Sequence, residues 1–197
     1  CCAAANVIHV DNHAFWINPE DSNHLILGND GGIAISRDKG ETWRFVRNLP
    51  LAQFYHVSVD NSDPYNVYGG LQDNGTWMGP AEIRQSAGIR NLHWQEIGFG
   101  DGFDALADPE IPGTGYSMSQ GGNLNRWNLN TGEMRRVRPD GEDLRFNWNS
   151  ALAQDPFAAG TIYYGSQYVH KSTDKGQNWT IISPDLTTND PAKQNQM

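Results

Sequence analysis

The sequence has few cysteines, few cations and no long apolar run. Its two cysteines are adjacent, Cys1 and Cys2, so their spacing predicts no disulfide framework. Fourteen Lys and Arg residues against 23 Asp and Glu residues give a net charge of −9, without a basic run, which argues against nucleic acid as a partner. No apolar stretch reaches the roughly 18–20 residues that a spanning helix needs, so we expect no membrane span.

Several catalytic motifs are also missing. The chain contains no P-loop, GxGxxG, paired CxxC, HExxH or GxSxG string, and we expect no cofactor. Hydrophobic residues at 38% and charged residues at 19% are typical of a folded domain rather than a disordered chain. A mature lipoprotein would begin with Cys, but residues 7–10 already predict a strand. We therefore favour position 1 as the place where a longer protein was cut.

Proline follows Asn or Asp four times at nearly even spacing. Pro19, Pro64, Pro109 and Pro156, preceded by Asn18, Asp63, Asp108 and Asp155, are 45, 45 and 47 residues apart. A period of about 40–50 residues with strand patterning is typical of β-propeller blades. The sequence predicts an all-β fold with four consecutive four-stranded blades at 7–47, 53–97, 101–138 and 145–183, and a linker-like tail at 184–197.

Each predicted blade is a meander that begins with an inner strand, at 9–18, 54–60, 103–107 and 146–153. In such a meander, the loops leading into the inner strands share one face with the corners between second and third strands. We call this the corner face, and expect the Asx-Pro turns on the opposite face, the Asx-turn face. Polar and aromatic groups converging on the corner face would suit a polar ligand.

An eight-residue string occurs twice, 136 residues apart. Ser36-Arg-Asp38-Lys-Gly40-Glu-Thr42-Trp43 recurs as Ser172-Thr-Asp174-Lys-Gly176-Gln-Asn178-Trp179. The string resembles the Asp-box of BNR-repeat β-propellers, which include sialidases, xyloglucanase-like glycoside hydrolases and the sortilin/Vps10 group. Strings at 9–14, 68–75, 100–103 and 182–191 look most similar to bacterial sortilin-like and glycosidase-like members. In each box we expect Asp to accept turn N–H groups, Gly to take positive φ and Trp to pack between sheets.

The resemblance implies an exported protein, periplasmic or extracellular. Four blades are fewer than the closed ring usual in that family, so the chain looks like part of a larger propeller. Its expected partners are the remaining blades of the same protein or an assembly partner, besides a ligand.

Three carboxylates from consecutive predicted blades are candidates for catalysis. Asp11, Asp73 and Asp101 lie at the expected corner face, the last two between glycines and turn residues. Glycoside hydrolysis uses two carboxyl groups, about 5–5.5 Å apart for retention or 6.5–9.5 Å for inversion. The alternative is that these Asp residues only shape turns. The family's arginine triad, Tyr–Glu nucleophile and xyloglucanase aspartate motifs are not evident.

A second set of corner-face residues is expected to bind ligand. Trp77 and Trp148 are suited to stacking on sugar rings, although most tryptophans here are better explained by packing between blades. His9, Asp11 and His13 alternate and would suit a metal, but we favour a polar strand surface and predict no metal site. The predicted ligand-binding residues are His13, Tyr55, Gln72, Asn74, Trp77, Arg145 and Trp148.

The leading hypothesis is an exported, carbohydrate-active propeller that binds or hydrolyses glycans through a carboxylate pair. The alternative is a non-catalytic, sortilin-like propeller that binds peptide or protein, or holds an assembly together. The ligand is accordingly an oligosaccharide or polysaccharide in the first case and a peptide in the second.

Overall fold

The computed structural model describes residues 8–49 and 51–194. The predictions for Cys1, Cys2 and Val7, and for the last three residues of the tail, lie outside the described residues. By its internal contacts the chain forms two compact units, one ending at Gln53 and one beginning at Phe54. Each unit is described by itself.

The first unit is one four-stranded antiparallel sheet, blade 1. Its strands pair in the order β1 Asn12–Ile17, β2 Leu25–Asn29, β3 Gly32–Ser36 and β4 Arg44–Phe45. Strand β3 shows why the segment is a strand: Ala34 and Ser36 are buried, while the β-branched Ile33 and Ile35 alternate with them on the other side.

The second unit contains three more antiparallel four-stranded sheets, each paired in chain order. Blade 2 is β5 Phe54–Val59, β6 Asn66–Leu71, β7 Thr76–Pro80 and β8 Gln95–Gly98. Blade 3 is β9 Gly102–Ala107, β10 Thr114–Ser119, β11 Asn123–Asn128 and β12 Glu133–Arg136. Blade 4 is β13 Leu152–Gln154, β14 Ile162–Gly165, β15 Val169–Ser172 and β16 Thr180–Ile181.

Strands therefore dominate the described residues, in which the only α-helix is the single turn α1, Pro191–Gln194. Four-stranded meanders repeated along the chain are the blades of a β-propeller. The predicted fold class, all-β with four four-stranded blades, is confirmed.

An Asn or Asp directly after each inner strand organises the turn that follows. Asn18 accepts the N–H of Glu20 at 3.0 Å, and Asp155 accepts that of Phe157 at 2.9 Å. In blade 2 this residue is Asp60. Asp63-Pro64, which the even proline spacing singled out, lies three residues further on. The turn-forming position therefore follows the strand end rather than the proline.

The cores of the second unit lie between blades. Tyr68 of blade 2 stacks on Trp127 of blade 3 with ring centroids 5.9 Å apart, and both are fully buried. A second cluster joins blades 3 and 4 through Phe103, Tyr116, Met118, Leu124, Val137, Ile162 and Tyr164. An aromatic pair contributes about 0.5–1.5 kcal/mol beyond its buried area, so Tyr68 and Trp127 fix blade 2 against blade 3.

Two glycines allow blades 2 and 3 to approach backbone to backbone. A Cβ atom on Gly70 would lie 2.1 Å from the carbonyl carbon of Gly102, and one on Gly102 would lie 2.3 Å from the oxygen of Gly75. Because neither neighbour is a movable side chain, only glycine fits at these two positions.

The inner strand of blade 4 is shorter than predicted. Regular pairing begins only at Leu152, because the chain before it makes other contacts. Phe146 packs against Gly122 and lies under the guanidinium of Arg138, 4.8 Å from the ring centre. The carbonyl of Trp148 accepts the N–H of Gly121 at 3.1 Å. Residues 146–148 thus lie against blade 3 instead of pairing within the sheet of blade 4.

Candidate functional site

The corner of each of the last two blades is fastened to the loop leading into its own inner strand. Gln120 accepts the backbone N–H of Asp101 at 2.9 Å, and Gln167 accepts that of Arg145 at the same distance. A corner glutamine therefore positions the start of the inner strand in blades 3 and 4, and with it the polar residues of that loop.

Asp73, Asp101 and Tyr55 come together where blade 2 meets blade 3. The backbone N–H of Asp73 donates to Asp101 Oδ1 at 2.7 Å, and Asp101 is 8% exposed. Tyr55 stacks on Phe103 with centroids 4.4 Å apart. Partial burial, and then the negative charges of Asp101 and Asp73, raise the pKa of Tyr55. The phenol hydroxyl thus stays protonated at neutral pH.

A second polar group spans three blades through His56, Asp104 and Asn149. His56 Nδ1 lies 2.6 Å from Asp104 Oδ1, and His56 Nε2 lies 3.3 Å from Asn149 Nδ2. Since a carboxylate only accepts, Nδ1 carries a proton, and in the neutral imidazole Nε2 then accepts from the amide. The His56 and Asp104 side chains are 43% and 21% exposed, so ligand can reach them.

The loop before β13 also carries an exposed aromatic residue. Trp148 precedes Asn149 in the chain and is 52% exposed, while Tyr55 precedes His56 and is 37% exposed. We call these seven residues the corner cluster: Tyr55, His56, Asp73, Asp101, Asp104, Trp148 and Asn149.

The other predicted binding residues of the second unit take part in local structure. Asn74 donates to the carbonyl of Gln72 at 2.9 Å, and Trp77 Nε1 donates to the carbonyl of Asn74 at 2.7 Å. All three therefore belong to the tight corner between β6 and β7.

Arg145 is engaged by the chain after blade 4. Its guanidinium lies 3.0 Å from Asp185 Oδ2 and donates to Thr187 Oγ1 at 3.0 Å. The N–H of Leu186 also donates to the carbonyl of Gln167 at 2.9 Å. The first residues of the predicted tail thus lie against the corner of blade 4.

Asp11 and His13 lie in the first unit. Asp11 has φ of +58° and precedes β1, so the alternation of a regular strand does not extend to it. His13 Nε2 contacts Asp30 Oδ1 at 2.7 Å, at a register shift between Asn12 and Ala14. Within residues 8–49 and 51–194, no three His, Cys, Asp or Glu side chains gather as a metal site would require.

The two repeated strings form closely similar turns, which we call the first turn (36–43) and the second turn (172–179). Asp38 accepts the N–H of Thr42 at 2.9 Å, and Asp174 accepts that of Asn178 at 2.8 Å. Hydrogen bonds from the side chains of Thr42 and Asn178, and then these backbone bonds, lower the pKa of both carboxyls to about 2. Ser36 and Ser172 accept the N–H of Gly40 and Gly176, respectively.

The tryptophans of the two turns use different acceptors. Trp179 Nε1 donates to the carbonyl of Val137 in blade 3 at 2.8 Å, whereas Trp43 Nε1 donates to Gly40 of its own turn at 3.0 Å. The first interaction links two blades and the second closes a single turn.

Sequence reasoning missed Asp104 and Asn149. Their contacts with His56 join positions 48 and 93 residues apart, which no local pattern reports. The available indication is weak: Asp104 is a charged residue within an otherwise apolar inner strand, alternating with the buried Phe103 and Ala105.

The corner cluster combines groups that suit a neutral polyhydroxylated ligand. An exposed aromatic ring stacks on the apolar face of a sugar ring. Carboxylates, an amide and His56 Nε2 form hydrogen bonds with hydroxyl groups. Across the described segments, no helix is long and apolar enough to cross a bilayer.

No protein-family model and no curated protein matches the chain significantly. Among solved structures, an ancestral GH74 enzyme is similar with a TM-score of 0.51 at 16% identity, over 92% of this chain and 25% of the enzyme. A GH74 xyloglucanase from Xanthomonas campestris has a TM-score of 0.47 at 18% identity, over 89% of this chain and 30% of the enzyme. An auxiliary nutrient binding protein from Bacteroides thetaiotaomicron has a TM-score of 0.49 at 14% identity, over 90% of this chain and 43% of that protein.

The chain thus spans less than half of the length of each of these three structures. The likeness to the ancestral enzyme supports the propeller fold, and at 16% identity it supports the fold alone.

Proposed function

We propose that the chain is part of an exported, carbohydrate-binding β-propeller, and that the corner cluster binds the glycan. The observation that carries the proposal is the meeting of three consecutive blades at His56, Asp104 and Asn149, where Asn149 directly follows the exposed Trp148 in the chain. GH74 enzymes among the similar structures fit this ligand class. We also propose that the two repeated turns are Asp-boxes of the BNR type.

Trp148 supplies the platform for a sugar ring in this proposal. Its side chain is 52% exposed, and its backbone is held by the N–H of Gly121. A ring fixed at its backbone and open at its face stacks at low entropic cost. Trp77 suits this role less well, because its indole N–H is bound within its own corner.

Hydrogen bonds to the sugar hydroxyls come from the polar members of the cluster. His56 Nε2 accepts a hydrogen bond from a hydroxyl that replaces the Asn149 amide, while Asp104 holds the imidazole in place. The Tyr55 hydroxyl is protonated, so it donates a hydrogen bond to the sugar or accepts one from it on the blade 2 side of the cluster.

Binding is better supported than hydrolysis. One oxygen of Asp101 is used by the backbone N–H of Asp73, and Asp101 is 8% exposed, so this carboxylate mainly fixes the corner of blade 2. A general acid or nucleophile must instead reach the scissile bond.

The test measures binding to xyloglucan by affinity electrophoresis and to a xyloglucan oligosaccharide by calorimetry. Trp148→Ala should weaken binding about tenfold, equivalent to about 1.4 kcal/mol. The matched control is Trp16→Ala, which removes another exposed tryptophan (46% exposed) in blade 1. Asp101→Asn keeps an acceptor for the Asp73 N–H, so the corner of blade 2 should stay intact and binding should weaken less than in Trp148→Ala.

Equal loss in Trp148→Ala and Trp16→Ala would contradict the assignment of the site. Release of reducing sugar that disappears in Asp101→Asn would show hydrolysis instead. Binding of a peptide mixture, but no glycan, through Trp148 would favour the receptor alternative.

A further inference from the structure

Asp or Asn directly precedes glycine at four places in the sequence. The pairs are Asp30-Gly31, Asn74-Gly75, Asp101-Gly102 and Asp140-Gly141. In such a pair the glycine nitrogen is able to attack the side-chain carbonyl carbon of the residue before it, since glycine has no side chain that obstructs the approach. The four pairs are therefore candidates for a covalent change of the main chain.

The covalent change consists of ring closure and ring opening. The new bond from nitrogen to the side-chain carbon closes a five-membered succinimide. The side-chain hydroxyl of Asp leaves with the proton of the glycine N–H as water, and the amide nitrogen of Asn leaves as ammonia. Water then opens the ring at one of its two carbonyl carbons. Opening at the α-carbonyl carbon leaves the main chain running through the side chain, which is isoaspartate, and opening at the other gives Asp.

The availability of the glycine nitrogen decides which pair reacts in a folded protein. The nitrogen must turn toward the side chain, and a hydrogen-bonded N–H in a packed segment does so only while that segment is locally open. In an unfolded chain no pair is protected, and Asn reacts faster than Asp because an amide is a better electrophile than a carboxylate. Residue type alone therefore predicts that Asn74 changes first.

The fold restrains three of the four glycine nitrogens. The N–H of Gly75 donates to the carbonyl of Gly100 at 2.8 Å, and that of Gly31 donates to Asn29 Oδ1 at 3.0 Å. Gly102 is buried at the start of β9 and is paired with β10. Asn74, the intrinsically most reactive of the four residues, is thus followed by a nitrogen that the fold holds in place.

Asp140-Gly141 lies in the connection between blades 3 and 4. Residues 140–143 are all exposed, and the Asp140 side chain is 83% exposed. Its ion pair with Arg136, at 3.6 Å, is also exposed and therefore weak. Within residues 8–49 and 51–194 no group accepts the Gly141 N–H, and the following turn uses only the Gly141 carbonyl, which accepts from Leu144 at 3.4 Å. The Gly141 nitrogen is thus able to turn toward the neighbouring carboxyl group.

The connection is fastened on both sides of this pair. The N–H of Val137 donates to the carbonyl of Leu124 at 2.9 Å, and Gln167 accepts the N–H of Arg145 at 2.9 Å. Isoaspartate adds one carbon atom to the main chain among the exposed residues between these two bonds, and it keeps the negative charge. Conversion at this position therefore leaves blades 3 and 4 folded.

We propose that Asp140-Gly141 is the site at which the folded chain forms isoaspartate. The fold reverses the order that residue type alone predicts: Asp140 converts first, while Asn74, Asp30 and Asp101 are spared.

The test is incubation of the folded protein at about pH 7.4 and 37 °C, followed by peptide mapping. Trypsin releases residues 137–145 as one peptide, because it does not cut between Arg138 and Pro139. Isoaspartate is identified by its fragment ions in electron-transfer dissociation, and independently by methylation with an isoaspartyl methyltransferase. Asp140 should convert about tenfold faster, or more, than each of the other three residues.

The matched control is the same protein unfolded in guanidinium chloride, in which Asn74 should change first. Incubation lasts until half of Asp140 has converted in this control. Asp140→Glu keeps the charge but moves the carbonyl carbon one bond further from the nitrogen, and should abolish the product at position 140 with an unchanged melting temperature. The proposal is overturned if Asn74, Asp30 or Asp101 converts first in the folded protein, if all four convert equally, or if Asp140 in the folded protein stays unconverted.

Discussion

Lys175→Met should destabilise the second unit by breaking an ion pair between blades. Lys175 Nζ lies 2.8 Å from Asp108 Oδ2 and 3.1 Å from Glu110 Oε2. The Asp108 side chain is 2% exposed and that of Lys175 18%. Burial alone would raise the pKa of Asp108, but hydrogen bonds, first of all from Lys175, lower it. Methionine keeps the apolar stem and removes only the charge.

The magnitude follows from what remains around Asp108. Removing one partner of a buried pair costs about 3–5 kcal/mol. Here Asp108 keeps Arg126, 3.3 Å away, and the backbone N–H groups of Glu110 and Ile111. Because these partners remain, we expect a cost at or below the lower end of that range, about 2–3 kcal/mol.

The assay is urea unfolding of dilute protein, followed by tryptophan fluorescence. Lys39→Met is the control, because Lys39 occupies the same position in the first turn and is exposed; it should change the unfolding free energy by less than about 0.5 kcal/mol. The urea dependence of the free energy should be unchanged in both variants. Equal effects of the two substitutions would refute the argument that Lys175 stabilises the contact between blades.

Three further outcomes follow from the structure. Gly70→Ala should cost about 3 kcal/mol or more, because its Cβ would meet the backbone of Gly102, whereas Gly28→Ala, with its nearest neighbour at 3.4 Å, should be nearly neutral in thermal unfolding. The pKa values of Asp38, Asp60 and Asp174 are lowered to about 2, below the unfolded value of about 3.9, so their stabilisation is complete above pH 4 and lost as pH falls toward 2. The double variant Asp38→Asn/Asp174→Asn should lose less of its melting temperature between pH 4 and pH 2 than the unsubstituted protein does. An equal loss would contradict the lowered pKa values of Asp38 and Asp174. Trp179→Phe should lower the melting temperature of the second unit more than Trp43→Phe lowers that of the first, because only Trp179 donates to a different blade.

The strands were predictable where residue type and turn chemistry agree. The strand from Gly32 to Ser36 is one such case, because alternating residues run between a glycine and a turn-forming string. The position of Asp60 was not predicted, since the spacing pointed to Asp63-Pro64. Spacing along the chain reports the repeat, but the end of the strand decides which carboxylate caps the turn.

The candidate site was predictable only in part. Asp73 and Asp101 were expected on one face and do meet, but their contact runs from a backbone N–H to a carboxylate, which the sequence does not indicate. The pairing of His56 with Asp104 depends on how two blades align. Inner strand β13 was predicted too long, because the alternation from Phe146 onward does not reveal that the Trp148 carbonyl binds Gly121. In each case a contact between blades, rather than local preference, determines the outcome.

The most direct test of the proposed function is a crystal structure of the protein with a xyloglucan oligosaccharide. The account predicts a sugar ring stacked on Trp148, with a hydroxyl group within hydrogen-bond distance of His56 Nε2 or the Asn149 amide. A sugar bound at the Asx-turn face, beside Asp60, Asp108 or Asp155, would contradict it.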